Sequence, residues 1–258
     1  MVIAGFAALL VSALEPSIEL HGELHGVRAN AEYFAGQVIA RAEAGETVIA
    51  AFEISASGQP VLDAWWRDPD RPMDAEIVAQ LGWCGQTDGR VSAELVEALE
   101  ELRAAAQALP ISVRLIDERT GPPLSSMRDA STRGSAQHAL AIARLSASAP
   151  EAQIMVLIGN VHALKTVYPR PDSMEGGYMI TAGHLLADYA HSVGYVYAPG
   201  QVFNCRMDGC GVHDTHGNYA LVMQALADGG YDSHADLGAA EAATPLAEAG
   251  FCPANVSE

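Results

Sequence analysis

The feature that most constrains the fold of this chain is a recurring unit. A short apolar run ends in a polar residue or a glycine turn, and a segment with helical spacing follows. Residues 17–21, 47–52, 111–116 and 153–158 read as strands, and 193–197 as a fifth. The run 47–52 is continuously apolar and partly β-branched, the pattern of a strand buried on both faces. Between the strands, 30–44 places Tyr33, Phe34, Val38 and Ile39 on one side of a helix, and Gly45 stops it. Residues 60–67 and 74–81 read as short helices separated by an Asp-Pro turn, and 82–90 as a glycine-rich loop. The stretch 92–108 is a long helix whose glutamates form a solvated face, 126–147 is another, and 173–191 is expected to be mostly helical. Beyond Val202 the expectation is loops and short helices. Strands alternating with helices predict an α/β fold, with a mostly parallel central sheet and helices on both faces.

At 258 residues and 50% apolar content the chain can bury a core of single-domain size. The expected division is an N-terminal apolar segment at 1–16, an α/β core at 17–200 and a cysteine-containing extension at 201–258 packed on that core.

Four of the strands end in polar residues at the edge where open α/β sheets build sites: Glu23 and His25, Glu53, Asp117, and Asn160 with His162. Two of these endings share a pattern, Gly22-Glu23-Leu24-His25 and Gly159-Asn160-Val161-His162. One strand-end carboxylate is often a helix cap, and one histidine is often a satisfied core residue. Four such endings together point to a site. Two imidazoles with one or two carboxylates are a common ligand set for zinc, manganese or iron. Glycine before each histidine permits a sharp backbone turn. A bound divalent ion brings the pKa of its water to about 7, a second carboxylate can take the proton, and an arginine can steady developing negative charge.

The Gly22-Glu23-Leu24-His25-Gly26 segment, Glu53 after an apolar strand, a helix start bearing Arg128 and Arg133, and Gly159-Asn160-Val161-His162 together resemble the TIKI/TraB, erythromycin-esterase and ChaN-like superfamily. That group is marked by two Gly-x-x-His motifs, a glutamate and an arginine. The resemblance spans 18–197, and Asn204-Cys205 with Gly209-Cys210-Gly211 resembles the C-terminal signature of small exported bacterial members. It implies a three-layer α/β fold of the erythromycin-esterase and ChaN kind, with a polar site built from both motifs. TIKI-like members cleave peptides with a metal, erythromycin esterases hydrolyse a lactone, and ChaN-like members bind haem or iron.

Carried onto this chain, the resemblance makes His25, Glu53 and His162 the metal or catalytic set. Glu23 becomes the general base, with Glu53 able to exchange roles with it. Arg128 or Arg133 becomes the anion stabiliser, and Asn160 positions its turn or bonds to substrate. Asp117 is a weaker candidate, with capping as its expected role. His21 departs from the pattern, because an apolar strand residue is usual there; His21, Glu23 and His25 alternate, and His25 is the one that matches the motif. The implied function is metal-dependent hydrolysis of an ester or amide in a small-molecule or peptide substrate. The alternative is a non-catalytic haem- or iron-binding uptake protein.

The rest of the sequence bounds the setting. The apolar run to Val11-Ser12-Ala13 resembles the core and cleavage site of a signal peptide, without the usual basic start, and is too short to span a membrane. Four cysteines fit an oxidising compartment, so a periplasmic or secreted location is expected. Three pairings are open. Cys205 and Cys210 flank a tight turn that can close into a disulfide, which would leave Cys84 with Cys252. The same cysteines with His213 and His216 have a zinc-like spacing, but a disulfide beside ordinary loop histidines is the preferred reading. A net charge of −18 excludes nucleic acid as a partner, because no basic patch is available for phosphates. No Gly-x-Ser-x-Gly elbow, His-Glu-x-x-His helix, dinucleotide fingerprint or P-loop is present.

Overall fold

A computed structural model describes residues 17–118, 130–169, 177–206 and 209–253, apart from the side chains of Ala130 and Ser131. The chain opens with strand β1 (Ile18–Glu23), helix α1 (Ala29–Glu43) and strand β2 (Thr47–Ser55). Three helices follow, α2 (Gln59–Trp66), α3 (Ala75–Gln80) and α4 (Ala93–Ala105), before β3 (Ile111–Asp117). Next come α5 (Ala130–Ser148), β4 (Ala152–Gly159) and the one-turn α6 (Asn160–Ala163). A small hairpin, β5 (Tyr168–Pro169) with β6 (Tyr178–Met179), and the short α7 (Ala182–Leu185) lead to β7 (Ala190–Ala198). A second hairpin, β8 (Gly200–Arg206) with β9 (Gly209–Thr215), then α8 (Tyr219–Ala227) and β10 (Ser233–Ala239) complete the order.

Six strands form one sheet in the order β10-β7-β1-β4-β2-β3. All five of its pairings are parallel. Parallel strands need crossovers that lie on the sheet faces, so both faces are covered. On one face Phe34, Val38, Leu62, Trp65, Leu95 and Leu99 from α1, α2 and α4 pack on Val48, Ala50, Phe52, Val113 and Leu115. On the other, Ile142 of α5, Leu186 and Val222 of α8 pack on Ile18, Leu20, Ile49, Ala51, Ile154 and Val156. The fold is therefore the expected three-layer α/β arrangement, with β1 and β4 at its centre.

Two sequence expectations fail. Within 173–191 the described residues form β6, the single turn α7 and the start of β7, rather than one helix. Thr181 accepts a hydrogen bond from the His184 amide and starts that turn, while Tyr178 and Met179 pair with Pro169 and Tyr168. Beyond Val202 the chain is not loops and short helices alone. β8 and β9 pair in register from Gly200–Thr215 to Arg206–Gly209, and β10 adds an edge strand to the central sheet. Both disulfides are formed, Cys84 with Cys252 and Cys205 with Cys210, so the cysteine-histidine zinc spacing is not used.

One face of β1 is unusual for a central strand. Glu19, His21 and Glu23 are all buried and all point toward α1. Buried charge is tolerated only when paired. Accordingly Glu19 Oε1 lies 2.8 Å from His21 Nε2, and Arg41 Nη2 donates to Glu19 Oε2 at 2.9 Å. Burial works to raise the Glu19 carboxyl, but His21 and Arg41 outweigh it and hold it at about 2. Tyr195 of β7 meets His21 Nδ1 at 3.0 Å.

Candidate active site

The carboxyl ends of β1, β2 and β4 converge because these strands are neighbours in one parallel sheet. The two Gly-x-x-His turns pack directly on each other. A Cβ at Gly22 would sit 3.0 Å from Ala163 Cβ and 3.2 Å from Asn160 Cα. A Cβ at Gly159 would sit 3.0 Å from His25 Nε2 and 3.4 Å from Glu53 Oε2. Neither glycine has a positive φ. These glycines are therefore needed for space, and the sharp backbone turn expected from the sequence is not what they supply. Gly26, at φ +81, is the one whose conformation favours glycine, and its Cβ would lie 1.7 Å from the Phe203 carbonyl oxygen.

Glu53 is the centre of the cluster and is 3% exposed. Its Oε2 accepts a hydrogen bond from the Gly159 amide at 2.7 Å and lies 3.9 Å from His25 Nε2. Its Oε1 lies 3.1 Å from Arg90 Nη2 and 3.8 Å from His162 Nε2. Burial acts to raise this carboxyl, yet the facing His25, His162, Arg90 and His138 outweigh it and hold it at about 2. Glu53 is thus an anion throughout the physiological range.

The two motif histidines are driven in opposite directions. For His25, burial acts to lower the pKa, but the hydrogen bond and charge of Glu23, with the charge of Glu53, raise it above its ordinary value. His162 is lowered to about 4, chiefly by burial, against the pull of Glu53 and with help from His138, His25 and Arg90. Near neutral pH His162 is therefore a neutral imidazole. Its Nδ1 pairs with Ser135 Oγ at 2.9 Å, which leaves Nε2 directed at Glu53. His25 Nδ1 pairs with Glu23 Oε1 at 2.9 Å, and its Nε2 accepts from Arg90 Nε at 3.2 Å. That Nε2 faces both a donor, Arg90, and an acceptor, Glu53, so it is suited to exchanging a proton.

A third histidine joins them. His138 of α5 is 3% exposed, packs edge-on against His162 with ring centroids 5.2 Å apart, and lies 3.6 Å from Asp117 Oδ1. Among the described residues neither of its ring nitrogens has a hydrogen-bond partner, and Glu53 Oε1 has no aligned hydrogen bond. One ligand atom each from Glu53, His138 and His162 lie within 4.8 Å of one another. His25, expected from the sequence in the metal set, stands outside this tight group. Its two nitrogens are engaged by Glu23 and Arg90.

The other sequence candidates fall as follows. Glu23 has both oxygens occupied, by His25 and by Asn30 Nδ2 at 2.6 Å. The Asn160 side chain accepts from the Val161 amide at 2.8 Å, and its carbonyl accepts from Tyr231 at 2.7 Å, so it shapes the turn. Asp117 is buried beside His138. Arg128 lies outside the described residues. Arg133 lies in the first turns of α5, but the cation that meets Glu53 and His25 is Arg90. Sequence reasoning missed Arg90, His138 and Ser135. A histidine three residues after a serine on the core side of α5 was the one available signal for the last two.

A cleft of about 300 Å³ opens beside Glu53 and is lined by Ser55, Gln86, Thr87, Asp88, Arg90 and Asp117 among others, with Ile54 its one aliphatic residue. A wider hollow of about 1000 Å³ lies near Ile18, Thr47 and Gln153, at the amino ends of the strands and away from these histidines. In α/β sheets the carboxyl edge is the functional one, and here it also carries Glu53, His25 and His162, three of the perturbed groups.

No protein-family model matches the chain, and no curated protein does. Solved structures do resemble it. A Bacillus cereus protein is 12% identical with a TM-score of 0.48, over 78% of this chain and 70% of that one. RRSP, a MARTX toxin effector domain from Vibrio vulnificus, is 14% identical with a TM-score of 0.47, over 77% of this chain and 35% of that one. ChaN of Campylobacter jejuni, in a structure of cofacial heme binding, is 10% identical with a TM-score of 0.40, over 82% of this chain and 92% of that one. At such identities the likeness reaches no further than the overall α/β fold.

Proposed function

We propose that this protein hydrolyses ester or amide bonds at the carboxyl-edge cleft, with a divalent metal held by Glu53, His138 and His162. The observation that carries the reading is His138. A buried imidazole with no hydrogen bond at either nitrogen among the described residues, only the 3.6 Å approach of Asp117, is costly, and it stands where a neutral His162 and an ionised Glu53 offer the other donors. Two nitrogens and a carboxylate oxygen suit zinc, manganese or iron. The Ser135 bond to His162 Nδ1 is the kind of outer contact that fixes a ligating tautomer. Glu53 shares its carboxylate with Arg90, which its several lone pairs allow. Such an ion, when bound, supplies Lewis acidity and hydroxide near neutral pH.

The chain's own residues divide the remaining work. His25 Nε2 moves a proton behind the cleft wall, since it faces both Arg90 and Glu53, which line the cleft. Glu23, expected as a base, instead holds His25 by Nδ1. Arg90 supplies positive charge next to the carboxylate and can steady an oxyanion. The cleft is polar and small, which suits a small substrate or the scissile segment of a peptide. The fold also admits haem binding, but haem requires a largely apolar slot, and Ile54 is the one aliphatic residue of this cleft. Two disulfides fit an oxidising compartment, in keeping with a periplasmic or secreted protein. No helix among the described residues is long and apolar enough to cross a membrane.

The test is elemental analysis of purified parent and His138→Ala protein, beside rates on a panel of esters, lactones and peptides. Near-stoichiometric zinc, manganese or iron in the parent, with metal and hydrolysis both lost in the variant, is the expected result. Equal hydrolysis by metal-loaded and chelator-stripped protein overturns the metal assignment. A Soret band on haem titration that disappears in the variant replaces hydrolysis with haem binding.

A further inference from the structure

We infer that Asn30 and Tyr197 are positioning residues that hold His25 in a single tautomer through Glu23. This deepens the hydrolase reading, because it rests on His25 exchanging a proton beside Glu53 and Arg90. The Tyr197 hydroxyl donates to Asn30 Oδ1. The other end of the Asn30 amide is fixed as the donor by two groups that only accept: Nδ2 gives hydrogen bonds to Glu23 Oε2 at 2.6 Å and to the Leu24 carbonyl at 2.9 Å, while Tyr197 holds the oxygen end in place. Glu23, an acceptor at both oxygens, then takes the Nδ1 proton of His25 at 2.9 Å. The polarity of the chain runs one way, so the His25 lone pair falls on Nε2. The opposite side of the ring agrees independently, because Arg90 Nε donates to that same Nε2 at 3.2 Å.

The chain is built to be rigid. Asn30, Tyr197 and Glu23 are 3%, 0% and 7% exposed. Tyr197 is itself clamped by Asn218, whose Oδ1 accepts from the Tyr197 amide at 2.7 Å and whose Nδ2 donates to the Tyr195 carbonyl at 2.8 Å. Asn218 in turn caps α8, through its carbonyl to the Val222 amide at 2.9 Å. Orientation of a proton-exchanging histidine thus depends on β7 and the start of α8, far along the chain from the motif. Buried networks of this kind act as a unit, and removing one member releases the next.

The test reads the tautomer directly, by nitrogen-15 NMR of the His25 ring in parent, Tyr197→Phe and Asn30→Ala protein, beside metal content and kinetics. At a pH above the raised His25 pKa, where the ring is neutral, the parent is expected to show one form, protonated at Nδ1. In Tyr197→Phe the Asn30 amide loses the partner that holds its oxygen and Glu23 is less firmly placed, so the His25 signals become a mixture, kcat falls about tenfold or more, and KM and metal content stay near the parent values. An unchanged His25 tautomer in folded Tyr197→Phe overturns the proposal, and so does an unchanged tautomer in Asn30→Ala should the tyrosine variant not fold. If no substrate is found for any of these proteins the hydrolase reading fails, and the NMR result still decides the positioning role.

Discussion

Glu53 shows how one carboxylate can organise a site. It receives the Gly159 amide, Arg90 and the faces of two histidines, and its charge is stabilised although burial alone would neutralise it. Glu53→Gln keeps the shape and removes that charge. Metal content is expected to fall below a tenth of the parent value, with hydrolysis reduced on the order of 10²-fold or more, as read by elemental analysis and initial rates. Ser135→Ala touches no reacting atom but frees His162 Nδ1. It is expected to weaken metal binding by about 10- to 100-fold, measured by chelator competition, with the melting temperature little changed. That His25, Glu53 and His162 would lie near one another was legible in the sequence, because each stands at or just past the carboxyl end of a strand. His138 was not, since a histidine on the core side of a helix reads as packing until the neighbouring strand end is known. Arg90 was not, because its place is set by contacts remote in sequence.

Those contacts belong to the elements. The 82–90 loop carries Arg90 and is fastened at one end by the Cys84–Cys252 disulfide. At its middle, Thr87 meets the Cys205–Cys210 pair, with Cys205 Sγ 3.0 Å from the Thr87 carbonyl oxygen. The β8 backbone also wedges between two turns: the Phe203 carbonyl would clash with a Cβ at Gly26 or, at 2.3 Å, at Gly89, and its amide donates to the Gly26 carbonyl at 3.0 Å. The hairpin was missed in the sequence because its glycines and polar residues read as loop, while its two cysteines pointed correctly to a bridge. Replacing both Cys84 and Cys252 by serine is expected to lower kcat about tenfold with metal content retained, because Arg90 loses its fixed place; unchanged kcat in the folded variant would count against this role for the loop. Gly159→Ala acts from the other side. Its methyl group meets the His25 ring and the Glu53 carboxylate at 3.0 and 3.4 Å, so hydrolysis is expected to fall more than stability does, as rates and melts of the same preparation will show.

At the scale of the whole molecule, the three-layer fold stores its charge in the sheet rather than only on its surface, and that sets how the metal-free protein responds to acid. Glu53 and Glu19 both have folded pKa values of about 2 against an ordinary 4.5. Each is a lowered carboxylate, so its stabilisation is fully present above 4.5 and is lost as pH falls through that value toward 2. At about 1.4 kcal/mol per pKa unit, each contributes on the order of 3 kcal/mol. His162, lowered from 6.5 to about 4, acts in the same direction at higher pH, since the unfolded chain takes up its proton first as pH falls from 6.5 to 4. His25, raised, opposes them: its contribution is present below 6.5 and fades as pH rises through its folded value. The net charge of −18 also eases as acid neutralises surface carboxylates, which favours the compact state on the way down. The sum is a shallow change between pH 7 and 4.5 and a steep loss below it. Urea unfolding of chelator-treated protein at a series of pH values measures this curve. In Glu53→Gln the steep limb below pH 4.5 should flatten, while the loss between pH 7 and 5 becomes larger because His25 and His162 no longer feel the charge that raises both. An identical acid limb in parent and variant would mean that Glu53 is not held down in the folded state, and that the charge cluster around it is looser than its distances imply.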